Sequence, residues 1–235
     1  MNKAIMSAAE AVADIPDGAS IMVSGFGGAG APVELVHALL DQGARHLTIV
    51  NNNAGTGQIG LAALVRERRV DKVVCSYPRT SDSRNFTEAY MAGRVELELA
   101  PQGTLAERIR AAGAGIPAFF TPTAAGTGLG EGKQTQTFGG RECVLEEALH
   151  TDYALVKADV ADRRGNLTYR LSARNFGPIM CTAAKTTIVQ VREIVEIGAI
   201  DAETVVTPGI YVDRLVEVAD PAQEELLVRA GARYP

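Results

Sequence analysis

The sequence predicts an α/β fold built on a mainly parallel sheet flanked by helices. Three observations predict it. Short apolar runs alternate with longer stretches whose apolar residues recur at helical spacing, the pattern of βαβ units. Runs such as Ile21-Met22-Val23 are apolar on both faces, as strands of a sheet covered on both sides must be. Glycine-rich turns stand where strands give way to helices. The 235 residues read as one domain over 1–235, with 113–140 as a glycine-rich loop or small excursion.

In order along the chain, Ser7-Ala8-Ala9-Glu10 signals a first helix, Ser at the cap and Glu three residues on. Pro16-Asp17-Gly18 ends it with turn chemistry. Ile21-Met22-Val23 is a strand, followed by the turn Gly25 to Gly30. Pro32 opens the next helix, where a missing N–H costs nothing, and Gly43 supplies its left-handed end. Leu47 to Val50 is a strand, Asn51-Asn52-Asn53-Ala54-Gly55 a polar loop, Ile59 to Val65 a helix and Val70 to Cys75 a strand. Phe86 to Met91 reads as a helix closed by Gly93. Val95, Leu97 and Leu99 alternate with Glu96 and Glu98, the mark of a half-exposed strand whose acids face water. Thr104 is read as the cap of a helix from Leu105 to Ala112. Between Gly113 and Gly140 the rhythm breaks, with Pro117, Pro122 and a run of glycines. Strands return at Tyr153 to Lys157, Leu167 to Tyr169 and Thr187 to Val191. Glu224 to Pro235 reads as a surface helix or a frayed terminus.

Composition excludes several functions. Hydrophobic residues are 46% and charged residues 22%, too apolar for a disordered chain. The net charge of −5 and aromatic content of 5% speak against a nucleic-acid surface. The densest basic stretch, Arg66-Glu67-Arg68-Arg69, is broken by an acid and reads as a solvated helix end. No apolar run approaches the ~20 residues a membrane span needs. Glu10 and Asp14 interrupt the apolar N-terminal stretch, so no signal peptide is expected. Cys75, Cys143 and Cys181 lack any CxxC spacing, which supports neither a disulfide framework nor a zinc site. They read as small buried residues in a reducing cytoplasm. His37, His46 and His150 are scattered and read as structural; His46 is expected to begin a strand.

The loop Gly25-Phe26-Gly27-Gly28-Ala29-Gly30 fits G-x-G-x-x-G, the dinucleotide fingerprint. That fingerprint needs an acid ~20 positions on to hold a ribose. Here the second strand ends in Asn51-Asn52-Asn53, so dinucleotide binding is a remote alternative beside a plain tight turn. Lys133, in Thr127 to Lys133, lacks P-loop spacing and reads as a solvated lysine or an anion contact. Asn52 and Asn53 fit either turn chemistry or amide donors to a ligand oxygen. Arg79 and Arg84 are candidates for a substrate carboxylate, against a surface-loop reading. Glu131 is not taken as a nucleophile.

The run Asp17-Gly18-Ala19-Ser20-Ile21-Met22-Val23-Ser24-Gly25-Phe26-Gly27-Gly28-Ala29-Gly30-Ala31-Pro32 resembles the signature of family I CoA-transferases on their A subunit, with Ser24 in place of a glycine. The resemblance continues through Asn52 to Gly55, Pro101 to Arg110, Glu131 to Lys133, Gly165 to Tyr169, Ala173 to Phe176 and Thr207 to Ile210. It implies a CoA-transferase-type three-layer domain. It also implies passage of CoA from succinyl-CoA to a 3-oxo acid, with CoA thioesters as substrates and no permanently bound cofactor or metal. Asn51 to Ala63 and Val73 to Ser83 look most like A subunits that act on 3-oxoadipate, in the β-ketoadipate pathway of aromatic breakdown. Acetoacetate and acetate/butyrate transferases are the near alternatives. In the family a glutamate of the B subunit, in a Glu-Asn-Gly motif, carries the acyl group and then CoA. No Glu-Asn-Gly occurs here, so the resemblance implies half a site and a B-subunit partner, in a heterodimer or heterotetramer. Carried over residue by residue, it assigns CoA contact to Ser24, Gly25, Phe26, Gly27, Gly28, Ala29 and Gly30. Asn52, Asn53 and Gln102 are assigned oxyanion stabilisation and substrate positioning.

Overall fold

The computed structural model describes residues 2–5 and 7–235. The first half runs β1 (Ala4–Ile5), α1 (Ala8–Val12), β2 (Ser20–Val23), α2 (Val33–Gln42), β3 (Leu47–Val50), α3 (Gly60–Arg66), β4 (Val70–Cys75), α4 (Arg84–Met91), β5 (Glu96–Leu99) and α5 (Gln102–Gly113). An excursion follows: β6 (Ala118–Thr121), β7 (Thr135–Phe138) and β8 (Arg141–Glu147). The second half runs β9 (Thr151–Lys157), β10 (Val160–Asp162), β11 (Leu167–Thr168), α6 (Gly177–Ala183), β12 (Ala184–Val191), β13 (Glu193–Val195), β14 (Arg214–Glu217) and α7 (Glu224–Arg229).

The main sheet is parallel throughout, in the order β1-β14-β12-β9-β2-β3-β4-β5. Its strands send alternate residues into two cores. Ile21, Val23, Ile49, Val73 and Leu155 pack with Leu35, Leu39 and Leu64 of α2 and α3. Met22, Val50, Val74, Ala154 and Val156 pack with Leu105, Ile109 and Met180 of α5 and α6. A strand buried on both faces has no polar alternation, which is why these runs are apolar in sequence. The result is the three-layer αβα architecture.

Strand order reverses between β2 and β9. From β2 the chain winds outward through β3, β4 and β5; from β9 it winds the other way. In open α/β sheets the crevice beyond the carboxyl ends at such a switch point is where ligands bind. Here β2 is pinned to β9 at both ends. Ser20 donates through N and Oγ to Asp152 Oδ2, at 3.0 and 2.7 Å. Beyond the carboxyl ends, Ser24 Oγ accepts from Lys157 N at 3.0 Å and donates to Gly30 O at 2.7 Å.

Several expectations change. Of the two readings of 113–140, loop or small excursion, the structure has the second: a three-stranded antiparallel sheet, β6-β8-β7. Thr104 is no cap: α5 starts at Gln102 behind Pro101, three residues earlier than expected, and Thr104 Oγ1 is buried without a partner among the described residues. His46 lies before β3 in a left-handed turn (φ +58) and pairs with Asp71 at 2.9 Å. Glu96 and Glu98 are not merely solvated, since Lys72 on neighbouring β4 holds both, at 3.0 and 2.9 Å. Nor is Arg66 solvated: it donates to Gln58 O at 3.1 Å and to Tyr234 O. Ser7 caps α1 as expected, accepting from Glu10 N at 3.1 Å. Gly43 ends α2 with φ +100. The three cysteines are free and buried, and burial pushes the Cys75 and Cys181 thiols up to about 12. Among the described residues no helix is long and apolar enough to cross a membrane.

Candidate active site

The glycine loop leaves β2 and turns back on itself. Phe26 N donates to Ala29 O at 3.0 Å and Ala29 N returns a bond to Phe26 O at 3.2 Å. Gly27 (φ +59) and Gly28 occupy the turn between them. Two of the donors that the helix end behind the loop could offer a phosphate are missing. Pro32 has no N–H, and the Leu35 N–H at the start of α2 is taken by Gln190 Oε1 at 3.2 Å.

The second loop follows β3. Asn51 braces it to β2, donating from Nδ2 to Val23 O at 2.6 Å and accepting from Asn53 N at 2.8 Å. Asn52 Oδ1 accepts twice, from Ser76 Oγ and Gln102 Nε2, both at 2.7 Å. Asn53 Oδ1 accepts from Gly55 N at 2.7 Å. Gly55 is required here: its φ is +91, and a Cβ would run into the backbone of Ala62. With both carbonyls committed inward, the Nδ2 groups of Asn52 and Asn53 are left without protein partners among the described residues. Both asparagines are almost fully buried, at 5% and 7% exposure, yet both line a cleft. Fixed donors in a partly dry cleft are what a developing negative charge needs.

That cleft has a volume of about 910 Å³ and lies outside the carboxyl ends of β2, β3 and β4. It gathers Phe26 to Ala29, Asn52, Asn53 and Gln102 from the sequence-predicted set. Gln102 opens α5 and uses an amide N–H to hold Asn52, so it acts on the site partly through that neighbour. Ser24, Gly25 and Gly30 lie behind the cleft. Ser24 is fully buried and its hydroxyl is engaged on both sides. A Cβ on Gly30 would stand 2.7 Å from Ala173 O. These residues shape the loop.

Other candidates fall away from it. Arg84 is exposed and grips Asp82 with two bonds, at 2.9 and 3.0 Å. Arg79 is exposed beside the cleft residue Thr80. Lys133 is half-exposed and meets an anion of its own chain, the buried Glu146 carboxylate, at 2.5 Å inside the excursion. His37 is structural, accepting from Gly60 N at 3.0 Å, and burial lowers its pKa. Sequence reasoning placed Ser76 and Tyr77, which follow β4, within the Val73 to Ser83 resemblance but gave them no role at the site. It read 224–235 as a surface helix or frayed terminus and missed that Glu224, Glu225, Val228 and Arg229 of α7 wall one side of the cleft.

A family model described as Coenzyme A transferase matches residues 5–218. The chain belongs to the coenzyme A transferase family. It is 58% identical to the A subunit of a 3-oxoadipate CoA-transferase from Pseudomonas putida, over 96% of this chain and 98% of that one. It is 52% identical to a protein of the same description from Acinetobacter baylyi, over 93% and 96%. The A subunit of a succinyl-CoA:3-ketoacid coenzyme A transferase from Xanthomonas campestris is 48% identical, over 92% and 90%. Among solved structures, an acyl-CoA transferase of Escherichia coli O157:H7 superposes with a TM-score of 0.83 at 24% identity. It covers 94% of this chain, which spans 48% of that longer one. Glutaconate coenzyme A-transferase of Acidaminococcus fermentans gives a TM-score of 0.83 at 24% identity, over 94% of this chain and 78% of that one. Both share the CoA-transferase fold seen here.

Proposed function

We propose that the chain is the A subunit of a transferase that moves CoA from succinyl-CoA to a 3-oxo acid, with 3-oxoadipate as the acceptor. The observation that carries this is the pair of amides, Asn52 and Asn53, locked by their carbonyls at the switch-point cleft of a CoA-transferase fold. The nucleophile is a glutamate of the partner B subunit. Its carboxylate attacks the succinyl thioester carbonyl and the thioester C–S bond breaks, giving a mixed anhydride and CoA thiolate. The thiolate then attacks the glutamyl carbonyl and releases succinate. The 3-oxo acid carboxylate repeats the exchange in reverse. Each attack places negative charge on a carbonyl oxygen, and Asn52 and Asn53 Nδ2 donate to it. Phe26 to Ala29 lie against CoA, while Ser24, Gly25 and Gly30 hold that loop in shape.

The rim supports a partner. Phe26 is 50% exposed and Tyr77 62% exposed at the mouth of the cleft, where a B subunit would cover them. Three free buried thiols suit a cytoplasmic enzyme. Mixed with its B subunit, the chain is expected to catalyse succinyl-CoA:3-oxoadipate exchange and to prefer 3-oxoadipate to acetoacetate at least tenfold in kcat/KM. Strong activity of the chain by itself, or a preference for acetoacetate, would sink this proposal.

A further inference from the structure

The C-terminal segment is docked at both ends. Before α7, Ala222 N donates to Glu34 Oε1 at 2.6 Å, and Ala222 O accepts from Lys157 Nζ at 2.8 Å. After it, Tyr234 N donates to Gln58 O at 3.1 Å and Tyr234 OH to Asp41 at 2.6 Å. The Tyr234 ring stacks on His37 with centroids 3.7 Å apart. Between these anchors α7 crosses the mouths of both loops. A Cβ on Gly28 would stand 2.9 Å from Glu225 N, and one on Gly60 would stand 2.9 Å from Glu224 Oε1.

Glu224 is the unusual residue. It is 8% exposed and lines the cleft beside Gly27 and Asn53. Its carboxyl makes no hydrogen bond to any described residue, and Lys157, the cation whose charge acts on it, donates to Ala222 O instead. Arg229, on the same helix, is paired with Glu225 at 2.5 Å. Glu34 and His37 on α2 are the other titratable groups of this corner; Glu34 is satisfied by Gln190 and Ala222, and His37 by Gly60. A buried carboxyl with no hydrogen-bonded cation favours the neutral form. Burial pushes Glu224 up to about 7, with Lys157 pulling the other way.

We infer that Glu224 is a substrate-contacting specificity residue, a neutral carboxyl whose O–H receives the free carboxylate of a dicarboxylic acyl group. A carboxylic acid donates a short, charge-assisted bond to a carboxylate, and it does so without a cation that would also hold CoA phosphates. The ligand class is an acyl chain with a carboxylate at its far end; acetoacetate has none. The inference rests on the A-subunit reading above.

The test uses the A–B complex with succinyl-CoA as donor throughout, so that any effect on the donor cancels between acceptors. The readout is the ratio of kcat/KM for 3-oxoadipate to kcat/KM for acetoacetate. Glu224→Ala is expected to lower that ratio at least tenfold, mostly through KM for 3-oxoadipate. Glu224→Gln keeps an N–H donor and is expected to lower it less than threefold. With wild-type protein the ratio falls as pH rises through about 7, because the ionised Glu224 repels the substrate carboxylate; the Gln variant loses that fall. An unchanged ratio in Glu224→Ala, or a wild-type pH fall that survives in Glu224→Gln, overturns the inference. Equal gains for both acceptors in Glu224→Ala would make α7 an obstruction and also overturn it. Failure of the A-subunit reading looks different: the wild-type complex itself would be inactive or would prefer acetoacetate.

Discussion

The loop after β2 and the excursion between α5 and β9 are both rich in glycine. In the first, Gly27 and Gly28 turn the chain at the mouth of the cleft, with Ser24 bonding the loop from below and Glu225 packed against Gly28. In the second, Gly126, Gly132, Gly139 and Gly140 adopt positive φ with open space around them, so they are turns of an antiparallel sheet and nothing more. That sheet is held by its own ion pair, Lys133 to Glu146, and contributes no residue to the cleft. Glycine abundance marks bends. Function follows where a bend stands against the carboxyl ends of parallel strands at a switch point.

Removing the donors beside the first loop gives the largest expected effect. Asn52→Ala is expected to lower kcat by about 100-fold, ~3 kcal/mol of transition-state stabilisation, with the A–B complex intact by gel filtration. An unaltered kcat would move the oxyanion site away from the Asn51–Gly55 loop. On the other side of the comparison, Lys133→Met leaves the Glu146 carboxylate buried, with Arg108 4.0 Å away. That should cost on the order of 3 kcal/mol of stability, seen as a Tm lower by roughly 6–12 °C. The kcat/KM at 25 °C should stay within twofold. A loss of activity without a loss of Tm would tie the excursion to the cleft after all.

The parallel sheet was legible in the sequence because burial on both faces leaves an unmistakable run of apolar residues, as in Ile21 to Val23 and Val73 to Cys75. The Asn loop was legible through its motif. Its geometry was not, because the locking bonds come from Ser76 and Gln102, 24 and 50 residues away in sequence. The excursion hid its strands behind glycines and prolines, since an antiparallel sheet with exposed strands such as Thr135–Phe138 has no apolar stripe to show. The seat of the C-terminal helix against the cleft was the largest omission. Residues 224–235 open on two acids at the chain's end, so the sequence suggests exposure, yet Glu224 is buried through backbone anchors at Ala222 and Tyr234 that no side-chain pattern announces.

The smallest expected effect is also the cleanest comparison, one substitution made in both loops. Neither Gly28 nor Gly128 has a positive φ, so alanine fits the backbone at each. In both cases the unfolded chain loses freedom, which by itself favours the folded state by about 0.4–1 kcal/mol. At Gly128 there is nothing within 4 Å of the new methyl, so that gain should appear intact. Gly128→Ala is expected to raise Tm by roughly 1–4 °C and leave kcat/KM alone. At Gly28 the methyl meets the Glu225 backbone at 2.9 Å and its Cβ at 3.1 Å, so α7 must shift. Gly28→Ala is therefore expected to show no gain in Tm and to lower kcat/KM several-fold, because the wall of the cleft moves with the helix. If both variants gained stability equally and kept full activity, α7 would not be seated on the glycine loop in the working enzyme.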